Sequence, residues 1–524
     1  MFDVLIKNGV VIDGTGEPMY RADIGINEEK ISKIGQLQNE RGKMEIDASG
    51  LLVCPGFVDV NNHSDTYWQI FLDPDLESLV YQGITTIIGG NCGSSLAPLI
   101  NEKSIQSIQK WVNIGKISFS WLKLDELLTF IENKELSVNF GTLIGYGTLR
   151  RGLIRDQAEN LDSKERKVIE NLFMASMKEG AFGLSAGLVY VHTRLAKFQD
   201  LLDMAAIVKK YDGVFVLHLR NEREKLIESI QEVIDIAKES GAKVHISHLK
   251  VMGKKNWPLM SAALEMLQKA CEDGALITFD VYPYTTTGTV LHTLLPDWVT
   301  EGGKYMMLRR IKDPSIRPKI IADMKKSGFD FSKIKIAISP IVKSLAKRDV
   351  AESAADQGRG VEDVLLDILA ASEGHVVVSM EVLNDESIER IIANPLSIIS
   401  SNSAGYNLGH AKTGEFVHPR SFGTFPRVLH EYILRRQIIS WEEAVRKMTS
   451  FPAERFRILK RGKIEEKYFA DITIIDRDEI QDLATVENPY QYSKGVKFVL
   501  VNGKVAMDNG KYLGIKNGSV LKRD

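Results

Sequence analysis

Eight apolar, strand-like runs alternate with helical patterns through this 524-residue chain, and this alternation restricts its possible folds more than any other feature. The runs are LLVCPGFVDV, TTIIGGNC, FGTLIGYG, AFGLSAGLVY, VFVLHL, KVHISHLK, ALITFDVYPY and LSIISSN. Runs that are apolar throughout suit parallel strands buried on both faces. The alternation therefore predicts an α/β fold, a (β/α)8 TIM-type barrel over residues 55–454. Residues 296–374 do not fit one strand–helix unit and are expected to form an insertion subdomain.

The two ends of the chain have strand-like patterns of a different kind. VLIKNGVVID and FVLVNGKVAM each place an Asn-Gly pair between apolar runs, at Asn8-Gly9 and Asn502-Gly503, and such a pair is a strong hairpin signal. Segments this small need further strands in order to bury a face. We therefore expect residues 1–54 and 455–524 to pair into one small β-sandwich domain.

Composition indicates an ordinary soluble globular protein. A net charge of -2, from 67 basic and 69 acidic residues, gives no electrostatic support for a nucleic-acid or membrane-surface partner. No apolar run approaches the roughly 20 residues that span a bilayer, and the N-terminus lacks a signal-peptide pattern. Cys54, Cys92 and Cys271 are too few and too far apart for a disulfide framework, so a reducing cytoplasm is expected. The oligomeric state stays open.

Residues suited to a metal follow several of the predicted strands. His63 follows the first strand, Cys92 the second, His218 the fifth and His248 the sixth. The carboxyl ends of barrel strands converge on the active site. Thiolate and imidazole together suit Zn²⁺, and three protein ligands leave a position open for the attacking water. The sequence thus predicts a catalytic zinc site.

Several longer motifs give the pattern a family likeness. PGFVDVNNHSD, GITTIIGGNCGSSLAP, FDVYPYT, HPRSFGTFPRVLHEYI and EEAVRKMTSFPAERF occur in this order, followed by ADITIID and VLVNG. Over nearly its whole length the chain resembles the D-aminoacylases, or N-acyl-D-amino-acid deacylases, of the amidohydrolase superfamily. The resemblance implies the barrel and the split β-sandwich.

The resemblance also implies which residues bind metal. The tight zinc site corresponds to Cys92, His218 and His248. A second, weaker site in the family uses both histidines of His-x-His, where this chain has Asn61 and His63. A neutral amide is a poor ligand for a divalent metal, so the second metal is expected to be absent.

Catalytic and substrate-binding positions follow from the same resemblance. The family's general acid/base is an Asp after the eighth strand, and this chain has Asn402 there. The substrate carboxylate is bound in the family by a Lys, a Tyr and an Arg, which correspond to Lys250, Tyr282 and Arg420. Because an amide cannot transfer the proton, another group must do so in an efficient amidase.

Three residues are candidates for that group by location: His63, Asp65 and His192. The expected activity is zinc-dependent hydrolysis of N-acyl-D-amino acids, or of a closely related amide that carries a carboxylate. Two alternatives stay open: hydrolysis of another C–N bond, such as a cyclic amide or a D-residue peptide, and a non-catalytic ligand-binding relative. Residues 283–303 contain no Lys or Arg, which favours neutral or apolar amino acids.

Overall fold

A computed structural model of the protein describes residues 1–101, 104–105, 119–155, 159–327, 329–339, 341–346 and 348–523. Two parallel sheets of three and six strands form its centre. Their residues are buried on both faces, as the apolar runs require. The first sheet contains Phe57–Asp59, Ile84–Gly89 and Asn139–Thr142, and the second contains Ile144–Gly145, Gly183–Gly187, Val214–His218, Lys243–Ile246, Ile277–Val281 and Ser397–Ile399.

The two parallel sheets meet at both of their edges. On one side, only Leu143 separates the last strand of the first sheet from the first strand of the second. On the other side, Asn62 and Ser403 form a parallel bridge beyond the strands. The Asp59 carboxylate accepts hydrogen bonds from Ser400 Oγ at 2.8 Å and from the Ser401 amide at 2.9 Å, which ties the first strand to the last. The fold is therefore mixed α/β with a parallel centre.

Amphipathic helices cover this centre. Leu226–Ser240 buries Ile230, Val233 and Ala237 at helical spacing and ends at Gly241, whose φ of 62° is the left-handed conformation of a C-terminal cap. The helices before and between the central strands are Gln69–Leu72, Glu77–Val80, Leu124–Glu132, Tyr146–Ile154, Ser163–Lys178, Val191–Arg194, Phe198–Lys210, Leu226–Ser240, Leu259–Glu272 and Asp385–Ala393.

Strands from both ends of the chain share one nine-stranded sheet. Leu52–Pro55 lies at the junction, parallel to one strand of the N-terminal part and antiparallel to one of the C-terminal part. The boundaries predicted for a β-sandwich domain, 1–54 and 455–524, stay a prediction. The strands are Phe2–Val11, Tyr20–Asn27, Lys30–Gly35, Gly42–Asp47, Leu52–Pro55, Ile472–Ile475, Val496–Val501, Lys504–Asp508 and Lys511–Tyr512.

Of the two Asn-Gly pairs, one forms the predicted hairpin and the other does not. Asn502-Gly503 joins two antiparallel strands with φ of 46° and 78°. Asn8-Gly9 instead lies inside Phe2–Val11, where the register shifts as in a β-bulge. A Cβ on Gly9 would lie 2.5 Å from a Val53 methyl, so glycine is needed there for close packing rather than for a turn.

A three-stranded antiparallel sheet is inserted between the last two central strands. We call it the insertion sheet: Thr286–Val290, Ile334–Ile338 and Val377–Glu381. It begins before and ends after the predicted stretch 296–374, whose boundaries stay a prediction. It has its own hydrophobic core, which includes Ile336 and Val378. The helices associated with it are Asp297–Thr300, Gly303–Lys312, Arg317–Lys326, Val350–Asp356 and Val361–Ala371.

The remaining helices follow the central strands. Arg420–Arg427 contains Pro426, which lacks an amide hydrogen, and passes directly into the π-helical segment Val428–Arg435. Trp441–Met448 and Ser450–Phe456 then lead to the terminal sheet. Within the described ranges no helix has both the length and the apolar character needed to cross a membrane. The 3₁₀ segments are Lys254–Asn256, Leu291–Leu294, Phe331–Lys333, Lys343–Leu345 and Leu408–Thr413.

Candidate active site

The predicted site residues gather where the central strands end. His218 is the last residue of its strand, His248 lies two residues beyond Lys243–Ile246, and Cys92 lies three residues beyond Ile84–Gly89. The ligand atoms of these three side chains lie within 4.8 Å of one another, and all three residues are buried. This convergence of one sulfur and two imidazoles has the composition of a zinc site.

The spacing of these atoms also fits a zinc ion. Cys92 Sγ lies 3.5 Å from His248 Nε2. A tetrahedral Zn²⁺ that holds sulfur at about 2.3 Å and nitrogen at about 2.0 Å separates the two atoms by about 3.5 Å. His63 Nε2 lies somewhat farther from the sulfur, at 4.0 Å. Cys92, His218 and His248 are therefore the residues that could hold a metal.

A buried carboxylate, which the sequence reasoning missed, contacts both histidines of this set. Glu222 is 5% exposed, and its oxygens lie 3.5 Å from His218 Nε2 and 3.2 Å from His248 Nδ1. Lys250 Nζ donates to Glu222 at 2.5 Å and contacts His248 Nδ1 at 2.9 Å. Carboxylates in this position orient metal-binding imidazoles. The only signal in the sequence is an acidic residue four positions after His218, in LHLRNE.

The charges of this group act on one another. Burial tends to raise the pKa of Glu222, but the Lys250 ammonium and His218 outweigh it and hold that pKa well below its usual range. Burial, together with Lys250, keeps the pKa of His248 well below its usual range. An anionic Glu222 and a neutral His248 are the states that a metal site requires.

Asn402, the residue that the resemblance aligns with the family's Asp, contacts His63. Asn402 Oδ1 lies 2.9 Å from His63 Nε2. Asn61 points elsewhere: its Nδ2 lies 3.2 Å from both carboxylate oxygens of Asp280. Asp280 also contacts His245 Nε2 at 2.9 Å, so Asn61 belongs to a buried polar network that the sequence reasoning did not anticipate.

Three of the site positions have left-handed backbone conformations. Cys92, His248 and Asn402 have φ values of 53°, 39° and 48°, in the left-handed region. Such conformations cost on the order of 1–3 kcal/mol for residues other than glycine and cluster at functional sites. Asn402 is the residue type that tolerates this conformation best among the three.

The three residues expected to bind a carboxylate have different environments. Arg420 is 7% exposed, and its Nε and Nη1 have no hydrogen-bond partner in the described part of the chain. Its guanidinium lies 4.6 Å above the ring of Tyr282, whose hydroxyl donates to Thr287. Lys250 is already paired with Glu222. Arg420 is therefore ready to bind an anion, Tyr282 supports it, and Lys250 is partly neutralised.

One pocket connects the candidate metal ligands with Arg420. This pocket is partly open to solvent. His63, Cys92, His218, His248, Lys250, Asn402 and Arg420 all line it, whereas Tyr282 does not. Asp65 and His192, the other two candidate proton carriers, are buried outside its lining. Which of the lining residues act in catalysis stays a prediction.

Comparisons with known proteins identify the proteins that this chain resembles. A model of the amidohydrolase family matches residues 415–507. D-aminoacylase of Alcaligenes xylosoxydans xylosoxydans is 29% identical over all of this chain and 98% of its own length. N-acyl-D-glutamate deacylase and N-acyl-D-aspartate deacylase of the same organism are 28% and 26% identical over nearly the full length of both chains.

Solved structures extend the likeness to the fold. A crystal structure of D-aminoacylase, 27% identical, superimposes with a TM-score of 0.84 and covers all of both chains. N-acyl-D-glutamate deacylase from Bordetella bronchiseptica, 27% identical, gives 0.82 over 99% of each chain, and it is complexed with zinc and a phosphonate inhibitor that mimics the tetrahedral intermediate. The chain is therefore similar over its whole length to the D-aminoacylases, and its C-terminal part matches the amidohydrolase family model.

Proposed function

We propose that this amidohydrolase cleaves the amide bond of N-acyl-D-amino acids and releases the D-amino acid. One observation carries the proposal: Arg420, whose Nε and Nη1 have no hydrogen-bond partner among the described residues, lines the same pocket as Cys92, His218 and His248. Such a pocket can hold a carboxylate at one point and a scissile amide at another. We also propose that the chain folds as a closed (β/α)8 barrel, because the two parallel sheets meet at both of their edges.

The proposed metal centre holds one zinc ion on Cys92, His218 and His248. When bound, zinc supplies Lewis acidity, which polarises an acyl oxygen and lowers the pKa of water to about 7. The second position of the family does not fit, because the Asn61 amide is turned towards Asp280. A single metal per chain is therefore part of the proposal.

The chain's own residues orient the reacting groups. Arg420 can form a planar two-point contact with a carboxylate, and the Tyr282 ring holds its guanidinium in place. Glu222 fixes the rings of His218 and His248. Asn402 holds His63 at the edge of the pocket, and of these two only an imidazole exchanges protons near neutral pH. We assign Asn402 and His63 to the catalytic machinery.

A second candidate function has its own supporting observation. Asn402 is an amide where the family has an Asp, and an amide cannot act as a general base. This favours a relative that binds zinc and an N-acyl amino acid without efficient turnover. A cytoplasmic location, expected from the few and widely spaced cysteines, stays a prediction.

Amine release from N-acetyl D- and L-amino acids, measured with zinc-loaded protein, separates these functions. The proposal predicts turnover of D-substrates that Cys92→Ala abolishes together with zinc binding. Stoichiometric zinc without turnover of any substrate would favour the binding relative. Turnover that survives the loss of zinc in Cys92→Ala would contradict the proposed site.

A further inference from the structure

Few direct contacts hold the Arg420 guanidinium. Its Nε and Nη1 have no hydrogen-bond partner in the described part of the chain, and the group stacks on the ring of Tyr282 at 4.6 Å. Arg420 is also the first residue of the helix Arg420–Arg427. The direction of its side chain therefore depends on how this helix begins and on what holds the Tyr282 ring.

His418 fixes the start of this helix. Its Nδ1 accepts a hydrogen bond from the Arg420 amide at 3.1 Å, and its carbonyl accepts one from the Ser421 amide at 3.0 Å. A backbone amide can only donate, so Nδ1 must be the unprotonated nitrogen of the ring, and the ring proton is on Nε2. Burial, together with the charge of Arg420, keeps the pKa of His418 well below its usual range, which agrees with a neutral ring. The contacts thus define both the position and the tautomer of His418.

The Nε2 proton of His418 connects the helix to the insertion sheet. Nε2 lies 2.7 Å from the Thr286 hydroxyl oxygen and 3.2 Å from the Thr286 carbonyl oxygen, so it donates to the first residue of the strand Thr286–Val290. The next residue of that strand, Thr287, accepts a hydrogen bond from the Tyr282 hydroxyl at 2.8 Å. Two consecutive threonines therefore hold the two supports of Arg420, which are the start of its helix and the ring beneath its guanidinium.

We propose that His418 is a positioning residue, which joins the first strand of the insertion sheet to Arg420 and thereby sets how tightly Arg420 binds the substrate's carboxylate. The inference rests on the proposed function, because that function places the carboxylate on Arg420. His418 lines the pocket, but it acts through Arg420 rather than on the reacting atoms. A two-point contact between guanidinium and carboxylate depends on the direction of the guanidinium plane, so a loosened helix start should weaken this contact first.

The test compares N-acetyl-D-methionine with its primary amide, which lacks the carboxylate charge, on zinc-loaded protein. His418→Asn keeps an acceptor near the Arg420 amide but is too short to reach Thr286. His418→Gln reaches towards Thr286 but has no acceptor at the position of Nδ1. We expect each variant to raise KM and weaken the calorimetric affinity for the acid by at least about 10-fold. The kcat and the affinity for the amide should stay within about 2-fold of the wild type.

A matched pair of variants tests the contact from the side of the insertion sheet. Thr286→Val removes the hydroxyl that accepts from His418 but leaves the carbonyl oxygen, so it should weaken binding of the acid by at least about 3-fold. Thr285→Val is the control, since Thr285 is half-buried and lies outside the lining of the pocket. It should bind both compounds as the wild type does. Melting curves establish that all the variants fold.

The outcomes separate this inference from the proposed function. An unchanged preference for the acid over the amide in the folded His418 variants would overturn the inference and leave the proposed function standing. An equal loss for both compounds would also overturn it, because it would show a purely structural role. If the wild type itself does not prefer the acid to the amide, Arg420 is not the anchor of the carboxylate, and the proposed function fails together with the inference.

Discussion

Replacing Glu222 by glutamine tests whether one buried carboxylate controls both metal affinity and stability at the candidate site. The carboxylate contacts Lys250 Nζ at 2.5 Å, His248 Nδ1 at 3.2 Å and His218 Nε2 at 3.5 Å. Glutamine keeps the size but removes the charge. Two separate losses should follow. Stability should fall because the buried ammonium loses its partner, and zinc affinity should fall because the two imidazoles lose the group that orients them.

Both losses have expected sizes. Lys250 is 8% exposed, and leaving a buried charge without its partner costs about 3–5 kcal/mol. Losing a carboxylate that orients metal-binding histidines typically weakens metal binding by about 10–100-fold, or about 1.4–2.7 kcal/mol. We therefore expect Glu222→Gln to lower the free energy of unfolding of the metal-free protein and to weaken zinc binding as well.

Two variants make the result specific. Glu224→Gln, two residues away with a side chain that is 53% exposed, should change neither quantity by more than about 0.5 kcal/mol. Adding Lys250→Met to Glu222→Gln should restore most of the stability, because both buried charges are then gone, but it should not restore zinc affinity. Denaturant titration of the metal-free protein and chelator competition measure the two quantities. Wild-type zinc affinity in Glu222→Gln would refute the assigned role.

Three further predictions address the core, the second metal and a turn. Burial lowers the pKa of Lys447 to about 8, so the unfolded state binds more protons than the folded state between about pH 8 and about pH 10.5. The free energy of unfolding should therefore rise by up to about 3 kcal/mol over this pH range. Denaturant unfolding at several pH values should show this rise in the wild type and not in Lys447→Met. Asn61→His combined with Asn402→Asp should raise bound zinc from one to two equivalents by elemental analysis, and two equivalents in the wild type would contradict the single-metal centre. Gly503→Ala should lower the melting temperature more than Gly510→Ala. Both glycines have φ near 77°, but the new Cβ would lie 2.0 Å from a carbonyl oxygen at Gly503 and 3.7 Å from one at Gly510.

The parallel centre of the fold could be predicted because a strand that is buried on both faces is apolar along its whole length. Each of its strands is an apolar run, and a helix such as Leu226–Ser240 ends at a glycine, Gly241. Asn8-Gly9 shows the limit of such local patterns. Its neighbours pack Gly9 against Val53, and this tertiary contact, which no short window of sequence contains, turns a hairpin signal into a bulge.

The candidate site likewise contains residues that could be predicted from the sequence and residues that could not. Cys92, His218 and His248 were recognisable because each follows a strand that converges on one region. Glu222 was missed because a single acid in a turn is usually solvated, and only the fold places it between Lys250 and the two histidines. The hydrogen bonds of Asn61 were equally hidden, since its partner Asp280 is 219 positions away.

The shared sheet also has a consequence for how the protein is made. Leu52–Pro55 pairs with Ile472–Ile475, and the parallel centre and the insertion sheet are all synthesised between these two strands. During translation, one edge of the N-terminal strands therefore stays unpaired until nearly the whole chain has left the ribosome. Contacts between such distant segments form slowly, and an unpaired edge invites aggregation. Slow expression at low temperature should therefore increase the yield of folded enzyme.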